Sequence, residues 1–379
     1  MPEAFDIAIV GGGIVGAALA HAIGGRARVV VIERESAWGY HATGRSAAEF
    51  TLRFHSDMVG RLTRASASFL HAPPEGFCDV PLLRRCGNML IASADKADRA
   101  RSVFAAETRA TGPGQSAPIW LDRAAMLARV PFLDPDRVAA AFFDPDCWDM
   151  DVDALLQAFL RSARRAGARL LSGTALEAAR FHSGQWVLET TAGEVRAGRV
   201  VNAAGAWADE VADLFGADPL GLVPHRRTAI RVKLPGQDLS TLPEVNEIDE
   251  AFYFKPDAGQ LLVSPADETP MAPQDAWPEE LDIALAAHAL TEVTTLELRH
   301  IAHAWAGLRT FAPDRLPVIG ASARVPGLFW MAGLGGFGIQ TSPAVGRIAA
   351  GLLLEGRIPP GEGAAGIAAA ALSPARFGG

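Results

Sequence analysis

Near its N-terminus the chain alternates between apolar runs and short glycine-rich or polar breaks. An apolar run at residues 7–10 leads directly into the glycine motif of residues 11–16, and the small and apolar residues that follow predict a helix. A second apolar run at residues 29–32 ends at Glu33. We therefore predict a strand, a helix and a second strand in that order, with a tight glycine turn after the first strand.

Hydrophobic periodicity predicts the rest of the chain as a mixture of helices and strands. Helices are expected over residues 56–70, most of 96–140, 151–166, 276–302 and a final segment that ends near 355. Strands are expected over residues 88–93, 168–172, 185–190, 193–199, 200–205, 227–233, 251–255, 260–264 and 328–333. Strands that end in glycine-rich turns therefore stand at the start, the middle and the end of the chain, at 11–16, 203–205 and 333–338.

The glycine motif matches the fingerprint of a dinucleotide-binding βαβ unit. Gly11 permits the sharp turn, Gly13 lets the backbone approach a pyrophosphate, and Gly16 lets the helix pack against the strand. The phosphates then meet the free amides at the positive end of the helix, and Glu33 is placed to accept hydrogen bonds from a ribose. A glycine-rich turn without a ligand and a nicotinamide-dependent dehydrogenase are the alternatives at this point.

The three glycine-ended strands favour a larger cofactor. One ligand that contacts all of them is more easily FAD than a nicotinamide dinucleotide, which would leave the middle and last segments without a role. The chain has 379 residues, enough for two domains. We therefore predict a discontinuous cofactor lobe with a substrate lobe inserted between its pieces.

Composition and charge narrow the possible partners. The chain is 49% hydrophobic and 21% charged, and its net charge of −8 comes without a basic block, which argues against nucleic acid and anionic membranes as partners. Cys78, Cys86 and Cys147 lack the spacing of a disulfide framework or a zinc site. His300 and His303 are expected to share a helix face, with no acid or thiol beside them. We expect no metal site.

The sequence contains no uninterrupted apolar run of about twenty residues, so no transmembrane segment is expected. Glu3 and Asp6 stand where a signal peptide would carry positive charge. Because the cysteines form no disulfide pattern, a reducing compartment is expected, and the predicted location is the cytoplasm.

Four segments together resemble the D-amino-acid-oxidase family of flavoproteins. They are the glycine motif with Glu33-Arg34, residues 43–48 (Thr-Gly-Arg-Ser-Ala-Ala), residues 201–207 (Val-Asn-Ala-Ala-Gly-Ala-Trp) and residues 335–341 (Gly-Gly-Phe-Gly-Ile-Gln-Thr). Further shared segments lie at residues 77–83, 225–227, 252–259 and 305–309. The resemblance covers nearly the whole chain, and within the family it is greatest to the bacterial D-arginine dehydrogenases.

The resemblance implies an α/β fold with a glutathione-reductase-like Rossmann domain that binds FAD non-covalently, and an inserted mixed-sheet (α+β) substrate domain. The implied FAD-binding domain comprises residues 1–85, 145–216 and 315–379, and the substrate domain comprises residues 86–144 and 217–314. Related sarcosine oxidases attach their flavin to a cysteine near the position of Gly307, so a glycine here implies a dissociable flavin. The residues implied to bind FAD are Gly11, Gly13, Ile14, Val15, Gly16, Glu33, Arg34, Thr43, Gly44, Arg45, Ser46, Ala47, Ala48, Leu176, Ala204, Gly205, Trp207, Gly333, Gly335, Gly336, Phe337, Gly338, Ile339, Gln340 and Thr341.

The implied reaction is the oxidative deamination of a D-amino acid. The substrate needs its carboxylate held, its Cα–H directed at flavin N5 and its ammonium deprotonated, and the imino acid hydrolyses to a 2-oxo acid and ammonia. Because a guanidinium binds a carboxylate bidentately and stays charged, the family places Arg309 under the carboxylate, with Arg226 and the Tyr253 phenol completing the clamp. No general base is identified, and orientation and electrostatics are expected to supply most of the catalysis.

The substrate side chain is expected to meet Glu49, Thr51, Phe54, Asn88 and Gly336. In the D-arginine dehydrogenases a glutamate stands in place of Asn88, a tyrosine in place of Phe54 and a histidine in place of Glu49. The uncharged Asn88 removes a charge-assisted hydrogen bond to a basic substrate, about 1.5–3 kcal/mol, while Glu49 either restores a negative charge or is a solvated acid. A neutral D-amino acid or an N-substituted glycine therefore fits as well as D-arginine.

Two further functions stay open. One is an FAD-dependent secondary-amine oxidase or dehydrogenase that acts on sarcosine, iminodiacetate or an opine-like compound through the same carboxylate clamp. The other is the flavin subunit of a hetero-oligomeric dehydrogenase. The expected partners are a small amino-acid substrate and an electron acceptor, either oxygen or a quinone.

Overall fold

The computed structural model describes residues 3–53, 56–234 and 236–378. The strands are β1 Ala4–Val10, β2 Val29–Ile32, β3 Glu49–Thr51, β4 Leu83–Arg85, β5 Asn88–Ala92, β6 Ile119–Leu121, β7 Ala140–Asp144, β8 Cys147–Met150, β9 Arg169–Leu171, β10 Leu176–His182, β11 Gln185–Thr190, β12 Gly193–Asn202, β13 Val223–Val232, β14 Glu244–Glu247, β15 Tyr253–Asp257, β16 Gln260–Ser264, β17 Thr269–Pro270, β18 Ile301–Phe311, β19 Val318–Ala321 and β20 Leu328–Ala332. The α-helices are α1 Ile14–Ile23, α2 Asp57–His71, α3 Ala97–Ala110, α4 Arg123–Arg129, α5 Val152–Arg165, α6 Ala208–Asp213, α7 Glu280–Val293, α8 Gly338–Glu355, α9 Pro360–Ala364 and α10 Ala369–Leu372. Short 3₁₀ turns cover Ala94–Lys96, Gly205–Trp207 and Pro374–Phe377.

The first large sheet has a parallel centre that contains the N-terminal motif. Its central order is β20-β12-β1-β2-β9, with every neighbouring pair parallel. β10 and β11 extend it as an antiparallel ribbon beside the first half of β12, and β19 pairs antiparallel with β20. Ile9 lies opposite Val201 on one side and Val31 on the other. Because parallel strands are covered on both faces, they appear in the sequence as continuous apolar runs.

Helices cover one face of this sheet at close range. Leu19 and Ile23 of α1 and Val345 of α8 are buried with the side chains of β1, β2 and β20 in one cluster. A Cβ at Gly16 would clash with the carbonyl oxygen of Gly11, which the turn presents to the helix. Small residues therefore set the distance between α1, its strand and α8.

The second large sheet, nine-stranded over the described residues, runs in the order β17-β13-β16-β15-β14-β5-β7-β6, and β18 lies beside β13. β13 and β18 are paired from Val223 opposite Phe311 to Val232 opposite Ile301. One face of this sheet packs on α7, where Ile230 is buried with Leu290. The other face is left to meet the first sheet.

The small sheet β3-β8-β4 connects the two large ones. Its strands β3 and β8 pair with Phe50 opposite Trp148. Lys255 of β15 reaches across to it, with Nζ 2.5 Å from the Asp149 carboxylate and 3.2 Å from the carbonyl oxygen of Ala48. The start of β3 is thereby held against the nine-stranded sheet.

The mixed α/β fold expected from the sequence is confirmed, but three element predictions were wrong. Residues 193–202 form the single strand β12, which exchanges its partner β11 for β20 along its length. Residues 96–140 contain β6 and irregular segments besides α3 and α4, and the helix expected to reach residue 302 ends at Val293. His303 therefore lies on β18, and it shares no helix face with His300.

The strands of the eight-stranded sheet come from the segments assigned above to the FAD-binding domain, and those of the nine-stranded sheet from the segments assigned to the substrate domain, over the residues that the structure describes. The division of the chain into two domains stays a prediction. No helix in the described ranges is both long and apolar enough to cross a membrane.

Candidate functional site

A cavity of about 470 Å³ lies between the two large sheets. One wall is formed at the carboxyl ends of parallel strands, by Val10, Ile32, Ala203 and Ala332. The opposite wall comes from β13, β15 and β18. Ligands of open α/β sheets bind outside the carboxyl ends of the strands, so this position is the expected one for a cofactor.

The glycine motif forms one end of the cavity. Gly11 has a φ of +109°, and a Cβ there would clash with the carbonyl oxygen of Ala203, so the turn requires glycine. Gly13 lines the cavity, and α1 begins at the next residue, Ile14. The first amides of a helix have no intrahelical partner and favour anions. This end of the cavity can therefore hold a pyrophosphate.

Glu33 lies at the end of β2 and lines the cavity. Its Oε2 accepts a hydrogen bond from the Gly12 amide at 2.8 Å, and its Oε1 accepts one from the Glu35 amide at 2.9 Å. A carboxylate can accept about four hydrogen bonds. Glu33 is thus held in place by the backbone and keeps capacity for ribose hydroxyl groups.

A flat surface lies next to Glu33. The Arg34 guanidinium lies 4.1 Å from the centroid of the Trp207 ring, and the His41 ring lies 4.5 Å from the same ring. All three side chains line the cavity together with Leu176. Stacked aromatic and guanidinium planes with an apolar neighbour suit a purine ring.

The segment of residues 43–48 ties the cofactor wall to the nine-stranded sheet. Thr43 Oγ1 accepts a hydrogen bond from the Ile14 amide at 3.1 Å. Arg45 Nη1 donates to the carbonyl oxygen of Ala306 at 3.0 Å, and Trp305 Nε1 donates to the carbonyl oxygen of Arg45 at 3.1 Å. These bonds fix the segment across the middle of the cavity.

Arg309, Arg227 and Tyr253 converge on the wall opposite the glycine motif. No described residue forms a hydrogen bond or ion pair with the Arg309 guanidinium, which lies against the backbone of Gly336. Arg227 pairs with Glu268 at 3.2 Å, but its buried Nε has no partner. Burial lowers the pKa of Arg227, and the charge of Arg309 lowers it further. Two neighbouring positive charges with unused donors form a site for an anion such as a carboxylate.

The structure does not support the predicted place of Arg226 in this clamp. Its side chain is 3% exposed on the other face of β13, where it pairs with Asp282 at 2.7 Å and with Glu279, and lies 3.6 Å from Asp267. Successive side chains of a strand point to opposite faces, so Arg226 and Arg227 cannot both line the cavity. The sequence contained the signal: Ile230 and Val232 share the face of Arg226, which marks that face as the one packed on the core.

Most residues predicted to bind FAD line the cavity: Gly11, Gly13, Ile14, Val15, Glu33, Arg34, Thr43, Arg45, Ser46, Ala47, Leu176, Ala204, Gly205, Trp207, Gly333, Gly335, Gly336, Gly338 and Ile339. The structure places the others behind this lining: Gly16, Gly44, Ala48, Phe337, Gln340 and Thr341. Gln340, for example, donates to Thr63 Oγ1 of α2 at 3.1 Å, because the buried face of α8 packs on that helix. Sequence reasoning missed several lining residues that carry no motif: Tyr40, His41, Thr174, Ala175, Val211, Leu214, Arg227 and Thr310.

The residues predicted to meet the substrate side chain are only partly brought to the cavity. Gly336 lines it, whereas Glu49, Thr51 and Asn88 do not, and Phe54 lies outside the described residues. Thr51 is buried, and its Oγ1 accepts the Arg53 amide. These side chains lie on short strands beyond the lining, so motif position alone did not determine their distance from the cavity.

Glu49 belongs to a buried polar group that the sequence did not reveal. Ligand atoms of Glu49, Cys147 and Glu244 lie within 4.8 Å of one another, and Cys147 Sγ donates to Glu49 Oε2 at 3.4 Å. Burial raises the pKa of Glu244 well above its ordinary value, and the charge of Glu49 raises it further. Asn246 Nδ2 donates to Asn88 Oδ1 at 3.1 Å beside this group. The expectation that no residues could hold a metal thus missed one candidate cluster.

Comparison with known proteins gives consistent matches over most of the chain. The sequence model of the family described as "DAO: FAD dependent oxidoreductase" matches residues 6–352. The glycine oxidase of Geobacillus kaustophilus is 28% identical over 362 residues, 93% of this chain and 94% of that protein. Its crystal structure has a TM-score of 0.80 at 25% identity, covering 94% of this chain and 96% of that one.

Two further matches widen the range of relatives. The mitochondrial dimethylglycine dehydrogenase of Homo sapiens is 27% identical over 93% of this chain, which spans only 43% of that protein's length. The crystal structure of iminodiacetate oxidase from Chelativorans sp. BNC1 has a TM-score of 0.79 at 22% identity, with 97% of this chain and 98% of that one covered. At that identity the likeness shows the fold alone.

Proposed function

Because this chain belongs to the DAO family of FAD-dependent oxidoreductases, we propose that it oxidises an amino acid at the carbon that carries both the amine and the carboxylate. With a primary amine, the imine formed hydrolyses to a 2-oxo acid and ammonia. The observation that carries the proposal is the unpaired Arg309 guanidinium in the cavity beside Arg227 and Tyr253. A carboxylate is the group that this arrangement is suited to bind.

FAD is the cofactor of the family, and the cavity residues fit it. Gly11 and the start of α1 suit the pyrophosphate, Glu33 suits the ribose, and the Arg34–Trp207 surface suits the adenine. None of the described residues that line the cavity is a cysteine, which supports non-covalent binding. When bound, FAD accepts the hydride that leaves the substrate carbon.

In this proposal Arg309 and Arg227 hold the substrate carboxylate, and the Tyr253 phenol donates a further hydrogen bond to it. The two guanidiniums repel each other in the empty clamp, so an anion between them is favoured by charge as well as by hydrogen bonding. A fixed carboxylate sets the direction of the Cα–H bond, and orientation of this kind is a main source of rate in such a site.

The first candidate substrate class is that of primary D-amino acids. The second class, secondary or tertiary amines with a carboxylate, is favoured by the names of the relatives: a glycine oxidase, a dimethylglycine dehydrogenase and an iminodiacetate oxidase. In all three named compounds one carbon joins the amine to the carboxylate, which is the feature that the clamp would recognise. A flavin subunit that works with a partner chain is a further alternative, and oxygen or a quinone is the proposed acceptor.

Anaerobic spectral titration tests the proposal. The FAD-loaded protein is mixed with D-amino acids, their L-enantiomers, N-alkyl glycines and matched amines that lack the carboxylate. We expect flavin bleaching by at least one carboxylated amine and none by the amines without a carboxylate. Reoxidation in air or with a quinone then identifies the acceptor. If the whole panel of carboxylated amines leaves the flavin oxidised, the proposed function is wrong.

A further inference from the structure

Glu49 and Glu244 form a pair of carboxyl groups, here called the carboxyl pair, beyond the substrate wall. Glu244 is 4% exposed, and its Oε2 atom has no hydrogen-bond partner among the described residues. Its other oxygen, Oε1, accepts only a long bond of 3.4 Å from Asn246 Nδ2. A buried carboxyl oxygen without a donor is costly, so this atom marks a place for a positively charged or hydrogen-bond-donating group.

The carboxyl pair is continuous with the substrate wall. Asn246 lies opposite Tyr253 in the pairing of β14 with β15, and Tyr253 lines the cavity. Glu244 lies two residues before Asn246, on the same face of the sheet, and Glu49 lies two residues after Ala47, which also lines the cavity. From strand spacing, the Glu244 backbone is roughly 8 Å from that of Tyr253.

The charges near the carboxyl pair do not neutralise it. The ionisable groups that face it are Glu49, Cys147, Cys86, Lys255 and Asp149. Lys255 pairs with Asp149 at 2.5 Å, and no ion pair joins it to Glu244 in the described part of the chain. The pKa of Glu244 is raised in spite of Lys255. Two adjacent buried carboxyls cannot both carry charge, so the pair retains a proton when nothing else occupies it.

We infer that the carboxyl pair is a cation subsite for a second, positively charged group of the substrate, such as a distal ammonium. The inference rests on the proposed function, because it takes the substrate carboxylate to lie at Arg309. The entering ammonium replaces the shared proton, which is released to solvent, so the charge of the site is balanced before and after binding. The preferred substrates are therefore amino acids whose side chain ends in a cation several bonds beyond Cα.

The test uses 6-aminohexanoate, which is lysine without its α-amine, and hexanoate, which lacks both amines. Neither can be oxidised at an amine-bearing α-carbon, so binding to the FAD-loaded protein is measured by calorimetry without turnover. We expect 6-aminohexanoate to bind at least about tenfold more tightly than hexanoate. We also expect about one proton to be released, as measured in buffers of different ionisation enthalpy, and an affinity that rises with pH.

Glu244→Gln is expected to abolish both the difference in affinity and the proton release. Glu250→Gln, an exposed change in the turn after the same strand, is the matched control and keeps both. Flavin content and thermal unfolding check that each variant is folded. In turnover, D-lysine is expected to reduce the flavin at lower concentration than D-norleucine, its analogue without the distal amine.

Equal binding of 6-aminohexanoate and hexanoate by the wild-type protein overturns the inference, whether or not the enzyme oxidises amino acids. Metal analysis is the second decisive measurement: a stoichiometric metal that Glu244→Gln loses would assign the carboxyl pair and Cys147 to a metal ion instead. If neutral and cationic amino acids reduce the flavin equally, the proposed function stands and the cation subsite fails. If 6-aminohexanoate binds as expected but no carboxylated amine reduces the flavin, the subsite stands and the proposed function fails.

Discussion

The two walls of the cavity are built in different ways. The cofactor wall is mostly backbone, with Gly11, Gly333 and Gly335 at positive φ at the ends of neighbouring strands. The substrate wall consists of side chains, and Arg309 and Tyr253 reach it from different strands of the other sheet. A backbone wall depends on short stretches of chain, whereas a wall of side chains depends on how distant strands are paired.

The walls also differ in their electrostatics. The cofactor wall offers the amides of a helix N-terminus, which attract an anion without a net charge. The substrate wall contains full charges that lack partners, positive at Arg309 and ionisable at Glu244. Changes on the first wall should therefore act through backbone shape, and changes on the second through charge.

Gly11→Ala should have the largest effect, because it adds a side chain where φ is +109° and the Ala203 carbonyl leaves no room. We expect the free energy of unfolding to fall by up to about 5 kcal/mol, with loss of bound FAD measured by flavin absorbance. Gly193→Ala is the control, since its φ is +108° with nothing within 4 Å of the added Cβ, and it should lose only the part due to strain. Similar losses in both variants would contradict a specific close approach at Gly11.

Arg226→Met tests the assignment of the two faces of β13. Removing this buried guanidinium leaves Asp282 and Asp267 without their cation, and we expect the free energy of unfolding to fall by about 3 kcal/mol. Denaturant unfolding measures this change. The residual folded enzyme should keep its substrate KM. A raised KM at unchanged stability would return Arg226 to the clamp.

Arg309→Lys should act on substrate and leave the fold alone. Lysine keeps the charge but loses bidentate binding, so kcat/KM should fall by about 10- to 100-fold, corresponding to about 1.5–3 kcal/mol, with FAD content unchanged. Steady-state kinetics measure the loss, and Arg299→Lys, an exposed arginine on the same segment of chain, is the control. If both variants keep full activity, the carboxylate is held elsewhere.

Glu244→Gln should have the smallest effect on stability, and it is visible only against pH. The pKa of Glu244 is raised in the folded protein, so the folded state binds more protons than the unfolded state above the ordinary pKa. Stability from this group is therefore lost as pH rises through the folded pKa, by at most about 1.4 kcal/mol per pH unit. Unfolding curves across pH should be flatter for the variant, and parallel curves would show that the pair does not hold a proton.

Much of the cofactor site could be predicted because its residues follow one another in the chain. The turn at Gly11 and Gly13 and the acid at Glu33 are features of neighbouring residues, and most predicted positions line the cavity. The predictions failed behind the lining, at Gln340 and Thr341, because the face that a helical residue presents depends on the helices packed around it. The long strand β12 was divided for a related reason, since its two halves pair with different strands.

The sequence by itself determined the βαβ unit, the glycine-ended strands and a family likeness that names FAD as the cofactor. Only the tertiary structure decided that Arg227 rather than Arg226 faces the cavity, and that Glu49 meets Glu244. The reason is physical: a shift of one residue along a strand moves a side chain to the other face, and contacts between distant strands depend on the packing of the whole sheet. Glycine conformation and apolar runs, in contrast, follow from neighbours in the chain.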